Sequence, residues 1–196
     1  LFERCGIPCM KLGDYEAAEL GKAICNLSRL AQLNLANFIG LCCEAFGINA
    51  QFLIPALMSQ YPRLQLALPG PGVGGSCLPK DSLVLFDGLR SALSLEAWSS
   101  GQVWAYPRQQ YLLNEHVIAA TANAVVNWAR ADTSRPVLAC GIAFKGVPRT
   151  DDTRHSVGLK IVEALTRHRI DARVYDLGVP ASAIQALGMI PADLPI

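Results

Sequence analysis

The sequence contains no run of about 18–20 apolar residues, the length a membrane-crossing helix needs. It is also poor in charge. Only 17% of residues are Asp, Glu, Lys or Arg, and 17 basic residues stand against 16 acidic ones, a net charge of +1. That balance provides no bulk basic field, so neither nucleic acid nor an anionic membrane is expected as a partner. No Walker A motif occurs. "GVGGSC", residues 72–77, has the glycines of a dinucleotide fingerprint but follows no strand pattern, so it is not read as one. His116, His155 and His168 show no ligand spacing, and the seven cysteines form no paired C-x-x-C arrangement, so no metal is expected. An odd number of unpaired thiols fits a reducing cytoplasm, with most of them expected as small buried hydrophobes. "LFERCGIPCM" carries Glu3 and Arg4 and no apolar core, unlike a signal peptide. The opening without Met and the close at "ADLPI" give the expectation of a piece of a longer protein.

What is present is apolar residues, 52% of the 196. They imply either a large core or a buried subunit interface, in one large or two small domains. Residues 1–13, broken by Gly6, Pro8 and Gly13, read as a connecting tail. From Asp14 a helix period begins, with Leu20, Ile24, Leu27, Leu30, Ala31, Leu35, Phe38 and Leu41 at three- and four-residue steps. Asp14 can cap this helix and Gly47 can end it. At ~1.5 Å per residue it is roughly 50 Å long, and its apolar stripe suits a domain spine or a dimer seam. A short helix is expected after Asn49, another beginning near Asp81 or Ser82, a loop over 99–107, and a long helix over 108–130. The pattern changes at 131. "VLACGIAF" (137–144) reads as a strand, "SVGLKIVEALTRH" as an amphipathic helix and "DARVYD" (171–176) as a second strand. Strand, helix, strand implies a parallel sheet. The expected fold class is therefore mixed: an all-α domain over 14–130 with a long helix, then an α/β domain over 131–196.

Three clusters carry candidate chemistry. "PGPGVGGSCLPKD" (69–81) sets Cys77 at the end of a flexible run, with Lys80 and a helix start just after it. Glycines let a backbone approach a ligand closely, and a nearby ammonium and a positive helix end favour a thiolate nucleophile. The other reading is a buried structural cysteine. Lys22 and Asn26 lie four apart on the long helix and so share a face, roughly 6 Å apart at Cβ. They can hold an oxyanion or a water, or form an ordinary solvated face. "FKGVPRTDDTRHSVGLK" (144–160) interleaves Lys145, Arg149 and Arg154 with Asp151 and Asp152 beyond a strand, where parallel sheets bind ligands. Cations there suit phosphate, or decorate a charged surface loop.

Taken together and in this order, "AAELGKAICN", "GVGGSCLPKD", "NEHV" and "GIAFKGVPRTDDTRHS" resemble segments of the UDP-glucose/GDP-mannose dehydrogenase family, from about residue 14 to 178. The resemblance implies a central helical dimerisation domain followed by a truncated α/β, Rossmann-like domain that binds the nucleotide sugar, an N-terminal NAD-binding domain lying outside this chain. It implies NAD as cofactor, a nucleotide sugar as substrate, a homodimer through the long helix, and a role in polysaccharide biosynthesis. The implied reaction oxidises a sugar 6-hydroxyl to the carboxylate in two hydride transfers through a cysteine thiohemiacetal and thioester. Cys77 matches the nucleophile, Lys22 and Asn26 the oxyanion and water ligands, and Asp81 the acidic partner in proton handling. Lys80 and Arg154 match positions facing NAD. Lys145, the loop glycines Gly74 and Gly75, and Arg63 match substrate contacts, Arg63 by reaching across the dimer. Phe38 stands where the family commonly has Glu, and Val157 where it often has Pro. Two other readings stay open: a sugar-nucleotide-binding dimerisation module without chemistry, and a Cys-dependent aldehyde dehydrogenase or thiolase-like enzyme.

Overall fold

The computed structural model describes residues 3–94 and 103–193. A 3-10 turn over Glu3–Cys5 precedes α1 (Tyr15–Ala45), α2 (Ala50–Gln60), α3 (Leu78–Ala92) and α4 (Tyr106–Ala131). An α/β unit follows: β1 (Val137–Cys140), α5 (Val157–Arg167), β2 (Ala172–Tyr175), α6 (Ala181–Ala186) and β3 (Ile190–Pro191). The mixed fold class expected from the sequence is the one observed. Part of the expected 99–107 loop, residues 99–102, lies outside the described residues; Tyr106 and Pro107 already belong to α4.

The long helix ends as its caps dictate. The Asp14 carboxylate accepts from the Ala17 N–H at 2.6 Å. At the other end Gly47 takes φ +66, its N–H reaches the Glu44 carbonyl, and the Ile48 N–H reaches that of Cys43. That pair of bonds satisfies two carbonyls the helix would otherwise leave orphaned. The stripe is covered by this chain only in part. α1 buries Leu30, Asn34, Ala36, Asn37 and Cys43, whereas Leu20, Ile24, Leu35 and Phe38 are about half exposed. Lys22 has a side chain 63% exposed. The cysteine expectation also fails: among the seven, only Cys43 is buried and Cys42 half-buried. Cys25 lies on the open half of α1, and Cys77 and Cys140 sit at element ends facing solvent.

α3 starts at Leu78, earlier than the sequence suggests, with Cys77 as its N-cap residue and proline in its first turn. Proline there gives up an N–H that has no intrahelical partner anyway. α1 and α4 both pack on α3, and α4 packs on α5. The sheet is parallel in the order β1-β2-β3, with Val137 opposite Ala172 and Cys140 opposite Tyr175. The first strand is shorter than expected, because Gly141 turns away at φ +94. α6 and β3 extend the βαβ unit beyond what the sequence pattern indicates.

The core beneath the sheet joins Ile142, Val162, Leu165, Val174 and Ile184 to Ala122, Val126 and Ala129 from the end of α4. Each fully buried aliphatic side chain there stabilises by roughly 1.5–3 kcal/mol. The end of α4 thus anchors the α/β unit to the helices that carry the candidate site. Among the described residues no single helix is long and apolar enough to cross a membrane; α1 and α2 are so only taken together, and they are bent by 119°.

Candidate active site

Lys22 and Asn26, one turn apart on α1, both point at the first turn of α3. Both donate to Oδ2 of Asp81: Lys22 through Nζ, and Asn26 through Nδ2 at 2.6 Å. The other carboxylate oxygen, Oδ1, lies 3.6 Å from Lys80 Nζ. Asp81 is buried, while the two lysine side chains are largely exposed. The Lys22 hydrogen bond holds the Asp81 carboxyl below the usual carboxylate value against the opposing effect of burial, with Asn26 and both ammonium charges adding to it. The same hydrogen bond raises Lys22, and the nearby Cys77 adds to the increase. The resting pair is therefore a carboxylate and an ammonium.

Cys77 stands at the N-terminus of α3, exposed, with its sulfur 3.7 Å from the Ser76 hydroxyl. It lies near enough to Lys22 and to Arg154 to add to what holds each of them protonated. Arg154 is held by Asp152 in a fork, Nε to Oδ1 at 2.9 Å and Nη2 to Oδ2 at 2.7 Å. The fork keeps Asp152 ionised, its carboxyl lowered to about 2.

The glycines before Cys77 do more than flex. A Cβ on Gly74 would lie 2.7 Å from the His155 carbonyl oxygen and 3.1 Å from the Val157 nitrogen. Gly75 has φ +87, and its N–H donates to the His155 carbonyl at 3.1 Å. A Cβ there would meet Phe144 Cδ2 at 2.9 Å. The loop is thus laid on the entrance to α5, where Ser156 caps the helix by accepting from the Leu159 N–H.

Between α3, α4 and this entrance lies a cavity of about 270 Å³ whose walls include Ser76, Lys80, Tyr111, Glu115, His155 and Lys160. Lys160 bridges both oxygens of Glu115 at 3.0 Å, tying α5 to α4. A second cavity, of about 340 Å³, opens beyond the ends of β1 and β2, lined by Lys145, Arg149, Thr150 and Asp176 among others. Asp176 is fully engaged there: it accepts the Ile142 and Ala143 N–H groups on Oδ2 and those of Gly178 and Val179 on Oδ1. The cations remain the wall's groups for a ligand anion.

The structure brings Lys22, Asn26, Cys77, Lys80, Asp81 and Arg154 together, and sets Gly74 and Gly75 beneath them. Lys145 lies in the adjoining cavity. Arg63 takes no part in this network; it is exposed in the turn after α2. Among the described residues no group of three or more His, Cys, Asp or Glu could hold a metal ion. Two residues escaped sequence reasoning as site builders. Buried Asn37 accepts from the Gly70 N–H at 2.8 Å, and fully buried Asn114 binds Val73 through both ends of its amide. The "NEHV" pattern pointed at the second without giving its task.

Residues 16–102 match the UDP-glucose/GDP-mannose dehydrogenase family, central domain. The chain is 31% identical over 163 residues to the UDP-N-acetyl-D-mannosamine dehydrogenase of Pyrococcus horikoshii, a match covering 81% of this chain and 36% of the relative. It is 28% identical over 184 residues to the NDP-N-acetyl-D-galactosaminuronic acid dehydrogenase of Ralstonia nicotianae, 92% of this chain and 40% of the relative. The solved UDP-D-ManNAc dehydrogenase structure from Pyrococcus horikoshii superposes with a TM-score of 0.65 at 32% identity, over 84% of this chain and 37% of that one. The fold also matches a UDP-glucose dehydrogenase from Pyrobaculum islandicum, with a TM-score of 0.73 at 23% identity over 99% of this chain and 43% of that one. The chain spans less than half the length of these relatives.

Proposed function

Because the chain belongs to the UDP-glucose/GDP-mannose dehydrogenase family, we propose that it is the thiol-bearing, sugar-nucleotide-binding part of an NAD-dependent nucleotide-sugar 6-dehydrogenase. The observation that carries this reading is the convergence of Lys22 and Asn26 on Asp81, four residues past an exposed thiol at a helix start.

The chemistry assigned to the chain's own groups runs as follows. The Cys77 thiolate adds to a C6 aldehyde; an S–C bond forms and the carbonyl pair moves to oxygen, giving a thiohemiacetal. The Lys22 ammonium and the Asn26 amide face that oxygen. Asp81 keeps Lys22 charged and oriented, and serves the water that later cleaves the thioester, releasing the carboxylate and returning the thiolate. Lys80 and Arg154, with side chains 66% and 74% exposed, suit the anionic pyrophosphate of NAD. Bound NAD would supply the hydride acceptor for both oxidations. Lys145 and Arg149 are assigned to the substrate's phosphates, and the backbone at Gly74 and Gly75 to close approach of the sugar. The names of the relatives favour a UDP-linked N-acetylhexosamine as substrate.

A homodimer through α1 completes the proposal. Ile24, Leu35 and Phe38 are about half exposed along a groove of about 540 Å³ that also includes Leu27, Tyr106 and Leu113. In such a dimer Arg63 would reach the neighbouring subunit's substrate.

Calorimetric titration of the chain with UDP-N-acetylmannosamine, UDP-glucose and GDP-mannose tests the substrate class. The UDP sugars bind and Lys145→Ala weakens them; preference for GDP-mannose, or no binding, refutes it. In the natural polypeptide carrying this chain, Cys77→Ala abolishes uronate formation, and full activity refutes the thiol's role. A second reading is a sugar-nucleotide-binding module without turnover: the G-x-G-x-x-G spacing of Gly70, Gly72 and Gly75 lies in the loop between α2 and α3 and follows no strand, so it is not the βα turn that cradles a dinucleotide. It is favoured if the natural polypeptide binds the sugar and forms no NADH.

A further inference from the structure

The loop over 69–76 has no regular secondary structure, yet its backbone groups still need partners. Two elements supply them. The Val73 N–H donates to Asn114 Oδ1 at 2.7 Å, and Asn114 Nδ2 donates back to the Val73 carbonyl at 2.9 Å. One side-chain amide thus does for Val73 what a neighbouring strand would do. Asn114 is fully buried, so no water can take over these bonds. One turn further along α4, Ile118 is seated against Gly72, where φ is +106 and a Cβ would strike Ile118 Cγ1. Gly72 and Val73 are thereby laid along a single face of α4. Two residues later the Gly75 N–H is fastened to the His155 carbonyl, and two beyond that lies Cys77.

We propose that Asn114 is a positioning residue for Cys77. Acting through Val73, it sets the loop's height on α4 and with it where the sulfur stands at the start of α3, the turn on which Lys80 and the Lys22–Asp81 pair converge. The inference rests on Cys77 being the reactive group of the site proposed above, but it concerns where the sulfur is held, so its test needs neither NAD nor substrate.

The test uses the full chain and two alkylating probes, anionic iodoacetate and neutral iodoacetamide, with each cysteine followed by peptide mass spectrometry. Cations around the sulfur favour the anionic reagent, so the iodoacetate-to-iodoacetamide rate ratio at Cys77 reports its charged surroundings. In Asn114→Ala this ratio falls by about threefold or more, the scale of one lost buried hydrogen-bonding partner or greater. The ratios at exposed Cys25 and Cys140 stay unchanged. Gly72→Ala drives a Cβ into Ile118 and lifts the same loop off α4 without touching Asn114, and gives the same selective fall; it also serves if Asn114→Ala does not fold. An unchanged ratio at Cys77 in a folded variant overturns the proposal. So does an equal change at all three cysteines, which would mark general loosening. Loss of turnover in Cys77→Ala is a separate experiment, so failure of the catalytic reading and failure of this one are distinguishable.

Discussion

Replacing Gly74 with Ala adds one methyl group at the contact between the thiol loop and α5. The backbone at Gly74 is not in the left-handed region, so alanine can adopt it and the effect is steric. The new Cβ would stand 2.7 Å from the His155 oxygen, 3.1 Å from the Val157 nitrogen and 3.3 Å from Ser156 Cα. All three are backbone atoms, and the last two belong to a capped helix start, so none can swing aside. Overpacking against a fixed wall costs about 1–3 kcal/mol. For a chain of this size each 1 kcal/mol lowers the melting temperature by about 2–4 °C. Gly88→Ala is the control: it lies exposed inside α3 with nothing within 4 Å of an added Cβ. There alanine removes the entropy cost of glycine in a helix and stabilises by about 0.5–1 kcal/mol. Thermal and urea unfolding followed by circular dichroism measure both variants, and calorimetry with a UDP sugar measures the site. Opposite shifts, with weakened binding for Gly74→Ala alone, are expected. If Gly74→Ala melts with the parent chain and binds unchanged, the tight contact between this loop and α5 is refuted.

Acid should weaken the cluster: the lowered Asp81 carboxyl contributes stability present above its unfolded value and lost as pH falls through the folded one. Asp81→Asn should flatten the acid limb of a urea-midpoint-against-pH curve, and an unchanged limb contradicts the assignment. Raised Lys22 acts at the other end: its contribution is lost as pH rises through the raised folded value, and Lys22→Met should remove that alkaline loss from the same curve. Leu35→Glu places a charge on the open α1 stripe; sedimentation should show a dimer becoming a monomer, and an unchanged mass rejects α1 as the seam. Lys145→Ala combined with Arg149→Ala should weaken UDP binding and flatten its salt dependence, because these two cations line the cavity beyond β1 and β2.

The parts of the fold legible in the sequence are those decided by near neighbours. Asp14 and Gly47 bracket α1 because a cap acts within one turn of its own residue, and Ser156 opens α5 for the same reason. Pro79 misleads on the start of α3, since proline marks a loop as readily as a first helical turn. Which part of the α1 stripe this chain covers itself is not legible in the sequence, for a more general reason. An apolar stripe says that something should cover it, and not whether this chain or another does. Here the chain covers Leu30 and Ala36 and leaves Ile24 and Phe38 to solvent.

The site divides along the same line. Lys22 and Asn26 share a face by helical arithmetic alone, and Cys77 and Asp81 stand on the same first turn. That the two pairs meet across more than fifty residues of chain is a tertiary fact, and only the family resemblance hinted at it. The tasks of Asn37 and Asn114 were illegible for a further reason, although the "NEHV" pattern picks out the second of them. A lone amide on a helix reads as a residue facing water, and nothing nearby in sequence says otherwise. What holds both in the interior is an irregular stretch that has no strand to satisfy its backbone and so borrows side chains from two helices. A glycine-rich loop packed inside a protein implies such lenders. Asparagine is well fitted to the task, because one flat group carries both a donor and an acceptor. The loop's glycines and the buried amides are therefore one device: the glycines let the backbone come close, and the amides take up the polar groups brought inside with it.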